Sequence, residues 1–194
     1  MTDTSGPYPQ DVMVRYTVDS SLSSFTVQAF VGGLLAAFGH NPVIAIPDFS
    51  GEVQVGEDLQ QASLVLTIVS SSLKVASDMS DKDRLEIERT MHERVLQTDQ
   101  YPEIEYRCSR ISGSKSGEGQ YWVALNGDLI LHGVTRGLVV STRVTQDGER
   151  LRASGSFSIL QSDYEIEPVS FAGGALKLKD ELKFSFGVIA RKQG

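Results

Sequence analysis

The sequence predicts a mainly β protein: one antiparallel β-barrel of about eight strands carrying a single inserted amphipathic α-helix. Three observations lead there. Apolar and polar residues alternate with period two along most of the chain. Turn-forming residues interrupt the alternation at short intervals. One stretch, residues 80–97, carries the spacing of a helix instead. With 194 residues, 40% of them hydrophobic and 22% charged, the composition is that of an ordinary globular chain of about one domain.

Residues 1–12, with Gly6, Pro7 and Pro9, read as a flexible arm ahead of a barrel domain spanning 13–194. The arm has neither the basic start nor the apolar centre of a secretory signal, so the expected location is cytoplasmic. A mature form that has lost a leader would be periplasmic.

The strands follow in order. Leu64, Leu66 and Ile68 share one face. Val123, Leu125, Gly127, Leu129 and Leu131 share another, with Trp122, Ala124, Asn126, Asp128 and Ile130 behind them. Leu138, Val140, Thr142 and Val144 continue the pattern, then Leu151, Ala153, Gly155, Phe157 and Ile159, then Leu182, Phe184, Phe186 and Val188. Strands that bury one face and wet the other belong to antiparallel sheets. Gln146-Asp147-Gly148-Glu149 is a two-residue hairpin turn, and Ser112 to Gly119 reads as a Gly/Ser-rich loop. Eight to ten such strands must close on themselves or split into two layers.

The helix is expected over Ser80–Gln97. Ile87, Met91 and Val95 recur every four residues, and Leu85 and Leu96 widen the stripe. Ser80 is the expected N-cap, Asp81 and Asp83 suit the positive end of the helix dipole, and Tyr101-Pro102 stops the run. Glu86, Glu88, Arg89 and Arg94 form the expected wet face.

Several function classes are excluded. Lys plus Arg is 18 against Asp plus Glu 25, a net charge of −7 with no basic block, which disfavours nucleic acid and anionic membranes. No apolar run approaches the ~18 residues of a membrane span. The single Cys108 leaves no disulfide framework and reads as a buried structural thiol. His40, His92 and His132 lack metal-ligand spacing. No GxSxG elbow is present, and Gly32-Gly33 fits no phosphate-loop pattern. No catalytic or metal residue is therefore assigned. The apolar inner faces either fill the barrel or line a cavity, and strand periodicity does not choose between them.

Several segments, taken in order, resemble the YceI family of polyisoprenoid-binding, lipocalin-like bacterial proteins. They are Tyr16-Thr17-Val18-Asp19 with Ser23-Ser24-Phe25, Phe38-Gly39-His40-Asn41, and Phe49-Ser50-Gly51. The helix follows with Asp83, Ile87, Met91 and Val95-Leu96, then Tyr101-Pro102-Glu103-Ile104. Gly127-Asp128-Leu129 with Leu131-His132-Gly133-Val134-Thr135, Phe157-Ser158-Ile159 before Ser162-Asp163-Tyr164, and Leu176 to Lys192 complete the set. The chain departs from the family in lacking a signal, in having Val95-Leu96 for an aromatic pair, and in Asn41-Pro42 after His40.

The resemblance implies a hollow lipocalin-like barrel that binds, carries or sequesters a long isoprenoid, a polyprenyl phosphate or a prenylquinone, without catalysis. The lipid would be a non-covalent ligand and the only cofactor-like group, and a homodimer is plausible among such barrels. Tail-contacting residues would be Phe25, Val27, Leu66, Ile87, Met91, Val123, Leu125, Leu129, Val140, Phe157 and Phe184. Phe38 and His40 would touch the ligand's upper part, and Arg84 could meet its head. A solid-core barrel acting as a stress-response or interaction module is the competing expectation. An enzyme using His40 with a carboxylate is the third.

Overall fold

The computed structural model describes residues 13–32, 41–56, 59–171 and 176–194. The strands are β1 (Val14–Val18), β2 (Ser24–Gly32), β3 (Val43–Ala45), β4 (Phe49–Val55), β5 (Ser63–Val69) and β6 (Lys74–Val75). After helix α1 (Asp81–Thr90) come β7 (Glu103–Gly117), β8 (Gln120–Leu131), β9 (Val134–Asp147), β10 (Arg150–Leu160), β11 (Ser170–Phe171) and β12 (Leu176–Lys192).

The sheet runs β1-β4-β5-β7-β8-β9-β10-β12, and β12 pairs back onto β1 with Thr17 opposite Arg191. All pairings are antiparallel, so a closed eight-stranded barrel results. The 17 residues of β12 serve two neighbours: the end of the strand pairs β1, and its earlier part pairs β2, Phe184 lying opposite Val27. β3 pairs β2 and β6 pairs β3, so these short strands continue the sheet beyond β2. The expectation of eight to ten strands missed β3, β6 and β11, which at two or three residues are too short to show a period.

The corner between β1 and β2 explains the Tyr-x-Val-Asp segment. Asp19 accepts from Arg191 Nε at 2.9 Å and from Ser21 Oγ at 2.5 Å, while Ser23 Oγ donates to the Asp19 carbonyl and accepts from Ile189 N–H. The corner is thereby pinned to β12. The Ser112–Gly119 loop is a correction. β7 continues as strand to Gly117, held by its ladder to β8 with Ser114 opposite Trp122, and only the turn at Gly119 remains. A bulge between Cys108 and Arg110 resets the inward parity, so that Tyr106, Cys108 and Ile111 are all buried. Gly127 makes room for it: a Cβ there would lie 2.4 Å from the Arg107 carbonyl oxygen.

Ser80 caps α1 as expected, its Oγ accepting from Asp83 N–H at 3.2 Å. The helix does not run unbroken to Gln97. Met91–Val95 widen into a π turn closed by Leu96 N–H on the Met91 carbonyl. Two residues sit differently from the expectation. Leu85 is 66% exposed, and Glu88 turns inward to accept from Val75 N–H at 2.9 Å. Arg84 donates to the Val75 carbonyl at 2.6 Å and to the Ser77 carbonyl, which ties the helix to β6. No helix among the described residues is long and apolar enough to cross a membrane.

Candidate ligand cavity

The inward residues of all eight barrel strands, joined by Ile87, Met91, Val95 and Leu96 from the helix segment, surround a cavity of about 620 Å³. Eleven of the thirteen residues singled out from the sequence line it: Phe25, Val27, Leu66, Ile87, Met91, Val123, Leu125, Leu129, Val140, Phe157 and Phe184. Phe38 and His40 lie outside the described residues, as does the rest of the Leu34-to-His40 segment. Among the described residues, the side chains leave this cavity open inside the barrel.

Packing varies around the cavity. Phe25, Val27, Val123, Leu129 and Val140 are buried, whereas Leu66, Leu125, Phe157 and Phe184 are only half-buried although they point inward. Their remaining exposed surface faces the lumen. Phe157 and Phe184 stack with ring centroids 4.8 Å apart and planes 1° from parallel, and Phe25 meets Phe184 and Phe186 edge-on.

Polar atoms on the wall are few and mostly satisfied. Tyr106 hydroxyl donates to the Leu125 carbonyl at 2.8 Å, with the Leu138 carbonyl at 3.1 Å. Burial above all, then neighbouring Cys108 and Asp128, pushes its phenol well above the ordinary value. The Cys108 residue is 3% exposed, buried as expected from the sequence, and burial pushes its thiol up. Glu105 is the one charged side chain among the described lining residues, and its carboxylate accepts from Arg107 Nε at 2.6 Å. Gln146 Nε2 on β9 reaches the Tyr16 hydroxyl on β1 at 3.5 Å.

The sequence reading did not name Tyr16, Thr142, Gln146 or Gln161 as cavity residues. The parity of β9 carries the signal for Thr142 and Gln146, since both share the face of Val140. Gln161 had none, because it follows β10 in a short helical turn, where its amide donates to the Lys179 carbonyl at 2.9 Å. His132, in a turn with φ of 53°, rests its ring 4.5 Å from Tyr101. Among the described residues no group of three or more His, Cys, Asp or Glu could hold a metal.

The decisive comparison is with families. The YceI-like domain matches residues 16–190. The chain belongs to this YceI-like family. No curated protein matches it in sequence. Among solved structures, the YceI-like fold is shared with Burkholderia cenocepacia BcnA at TM-score 0.67 and 20% identity, covering 89% of this chain and 98% of the other. A polyisoprenoid binding domain from Saccharophagus degradans, implicated in plant cell wall breakdown, gives 0.65 and 14% identity, covering 92% and 98%. The Campylobacter jejuni YCEI protein gives 0.57 and 14%, covering 78% and 85%. At such identities these likenesses speak for the YceI-like fold alone.

Proposed function

We propose that the protein binds a long isoprenoid lipid in its lumen and carries or sequesters it unchanged, the ligand being a polyprenyl phosphate or a prenylquinone. The observation that carries this reading is the apolar cavity of about 620 Å³ running inside the barrel. A dry apolar cavity of about 150 Å³ holds one benzene, so this one has room for roughly two dozen carbons, about five isoprene units. At about 0.8 kcal/mol per buried carbon group, such a tail gains more than the roughly 4–15 kcal/mol that association costs. A shorter tail of two units, gaining about 8 kcal/mol, would barely break even. The polyisoprenoid binding domain of Saccharophagus degradans, similar in fold, supports the same ligand class.

A carrier fits the wall better than an enzyme does. The Tyr106 hydroxyl is engaged, the Cys108 thiol is buried, and the Glu105 carboxylate is paired with Arg107. The test is native mass spectrometry of gently purified protein, followed by lipid extraction. An added mass matching a prenyl lipid is expected. Ligand-free protein from repeated preparations, with no uptake of added prenyl lipid, rejects the reading.

A further inference from the structure

The hydrogen-bonded ladder between β9 and β10 stops partway along the barrel. β9 pairs with β8 over Val134–Thr145, and β10 pairs with β12 along its whole length, yet the two pair with each other only from Asp147/Arg150 to Thr142/Gly155. Beyond that point residues 134–141 and 156–160 face one another with no ladder bond between them.

The parting has a cause in the sequence. Gly155 is the last paired residue of β10, and a Cβ there would lie 2.7 Å from the Ser141 carbonyl oxygen and 2.8 Å from the Phe186 ring. Only a glycine lets the ring lie over the strand while the backbone bends away. Past the bend, β10 is drawn toward β12. Gln161 donates to the Lys179 carbonyl, and Ser162 donates through N–H and Oγ to the Asp180 carboxylate at 2.8 and 2.5 Å. At the far end Arg136 Nε donates to the Asp163 carbonyl at 3.0 Å and closes the gap again. The result is a window about five residues, or roughly 16 Å, long in the wall.

Its surroundings are apolar on both sides. Val139 on one bank is 58% exposed and Leu160 on the other 44%, two of the few large apolar side chains that the described surface shows. Behind them Leu138, Val140 and Phe157 line the lumen. The rest of the outer face of these strands is polar, with Ser141, Arg143, Arg152, Ser154, Ser156 and Ser158. Among the described residues, the helix segment places Ile87, Met91 and Leu96 on the lumen, and Gln146 meets Tyr16 across it.

We propose that this parted seam is a lateral portal through which the ligand's apolar tail enters and leaves the lumen, the Phe157 ring being its inner shutter. The proposal rests on the lumen reading above. Opening needs no ladder bond to break, because none spans the window. It needs Phe157 to swing aside from its stack on Phe184. A tail passing here meets Val139 and Leu160 first, then the lumen wall.

The experiment bridges the window. Val139→Cys with Ser158→Cys, joined by a short bismaleimide, ties the two banks together, and buried Cys108 is out of reach of the reagent. Uptake and release of dansylated geranylgeraniol, presented in phosphatidylcholine vesicles, are followed by fluorescence. The bridged protein should exchange the probe about tenfold or more slowly with little change in Kd, since both rates share one passage. The same bridge on Arg143→Cys with Ser154→Cys, across the paired part of the same strands, should leave both rates unchanged. Phe157→Ala should speed exchange, and Phe157→Leu serves if the alanine variant does not fold. Unchanged rates in the window-bridged protein overturn the portal while the lumen reading stands. Failure of the unbridged protein to take up the probe overturns the lumen reading and the portal with it.

Discussion

Around β2, β3 and β6 the wall is closely packed: Phe25, Ile44, Ile46, Phe49, Leu73 and Val75 are all under a tenth exposed, although the first three and Leu73 also border the cavity, and the Phe25 and Phe49 rings meet edge-to-face at 6.0 Å. Further along the barrel, Leu66, Leu125, Phe157 and Phe184 point inward from equally regular strands yet keep part of their surface open to the lumen. The residue types are the same; what differs is whether anything stands opposite. At the closely packed end two short strands and a helix, stitched to β6 by Arg84 and Glu88, add an opposing layer. Elsewhere, among the described residues, much of the barrel wall faces its own far side across the cavity. An apolar inward face is therefore a statement about direction, and packing is decided by what the topology puts across from it.

The largest expected effect tests the closely packed end. Phe49→Ala should lower stability by about 3–5 kcal/mol in urea unfolding, the range for deleting a fully packed aromatic ring. A loss no larger than that of a lumen variant would erase the contrast. Leu125→Trp probes the other side of it. Enlarging a residue in a packed core costs about 1–3 kcal/mol. Here the added ring has space, so the urea midpoint should barely move while uptake of dansylated geranylgeraniol is lost. Retained uptake would place the ligand elsewhere.

Tyr106→Phe gives the smallest effect at neutral pH, about 1 kcal/mol, because one hydroxyl donor to wall carbonyls is removed. Its pH dependence is the sharper reading. Burial raises the folded phenol's pKa, so the folded protein holds its proton where the unfolded chain, near pH 10, lets it go. The stability tied to that proton is complete below about pH 10 and falls as pH rises beyond it. Wild type should lose stability in alkali more steeply than Tyr106→Phe, as seen in thermal midpoints across that range.

Much of this arrangement is legible in the sequence because strand parity and helix capping are local. The inward faces of β8, β9, β10 and β12 and the Ser80 cap follow from spacing alone, whereas the eleven residues found on the cavity were expected from the family resemblance. Errors arose where tertiary partners decide. Ser112 to Gly117 reads as a loop by composition, and only the ladder to β8 makes it strand. Leu85 stands two residues, about 200°, from Ile87, which puts it on the solvent side. Leu96, five residues past Met91, comes back into line because the π turn holds one residue more. The cavity itself has no local signature, since periodicity measures which way a side chain points and not how far it must reach to touch another.

β12 spans from β2 to β1 and so joins segments near opposite ends of the sequence, with Arg191 beside Thr17 and Gln193 N–H bonded to the Arg15 carbonyl. Contacts between such distant residues exact the greatest loss of chain freedom before they return any binding energy. During synthesis, one edge of β1 stays unpaired until Ala190 to Lys192 have emerged. Closure of the cylinder thus waits on β12, and a chain lacking Ala190 to Lys192 would leave β1 with β4 as its strand neighbour and the seam unclosed.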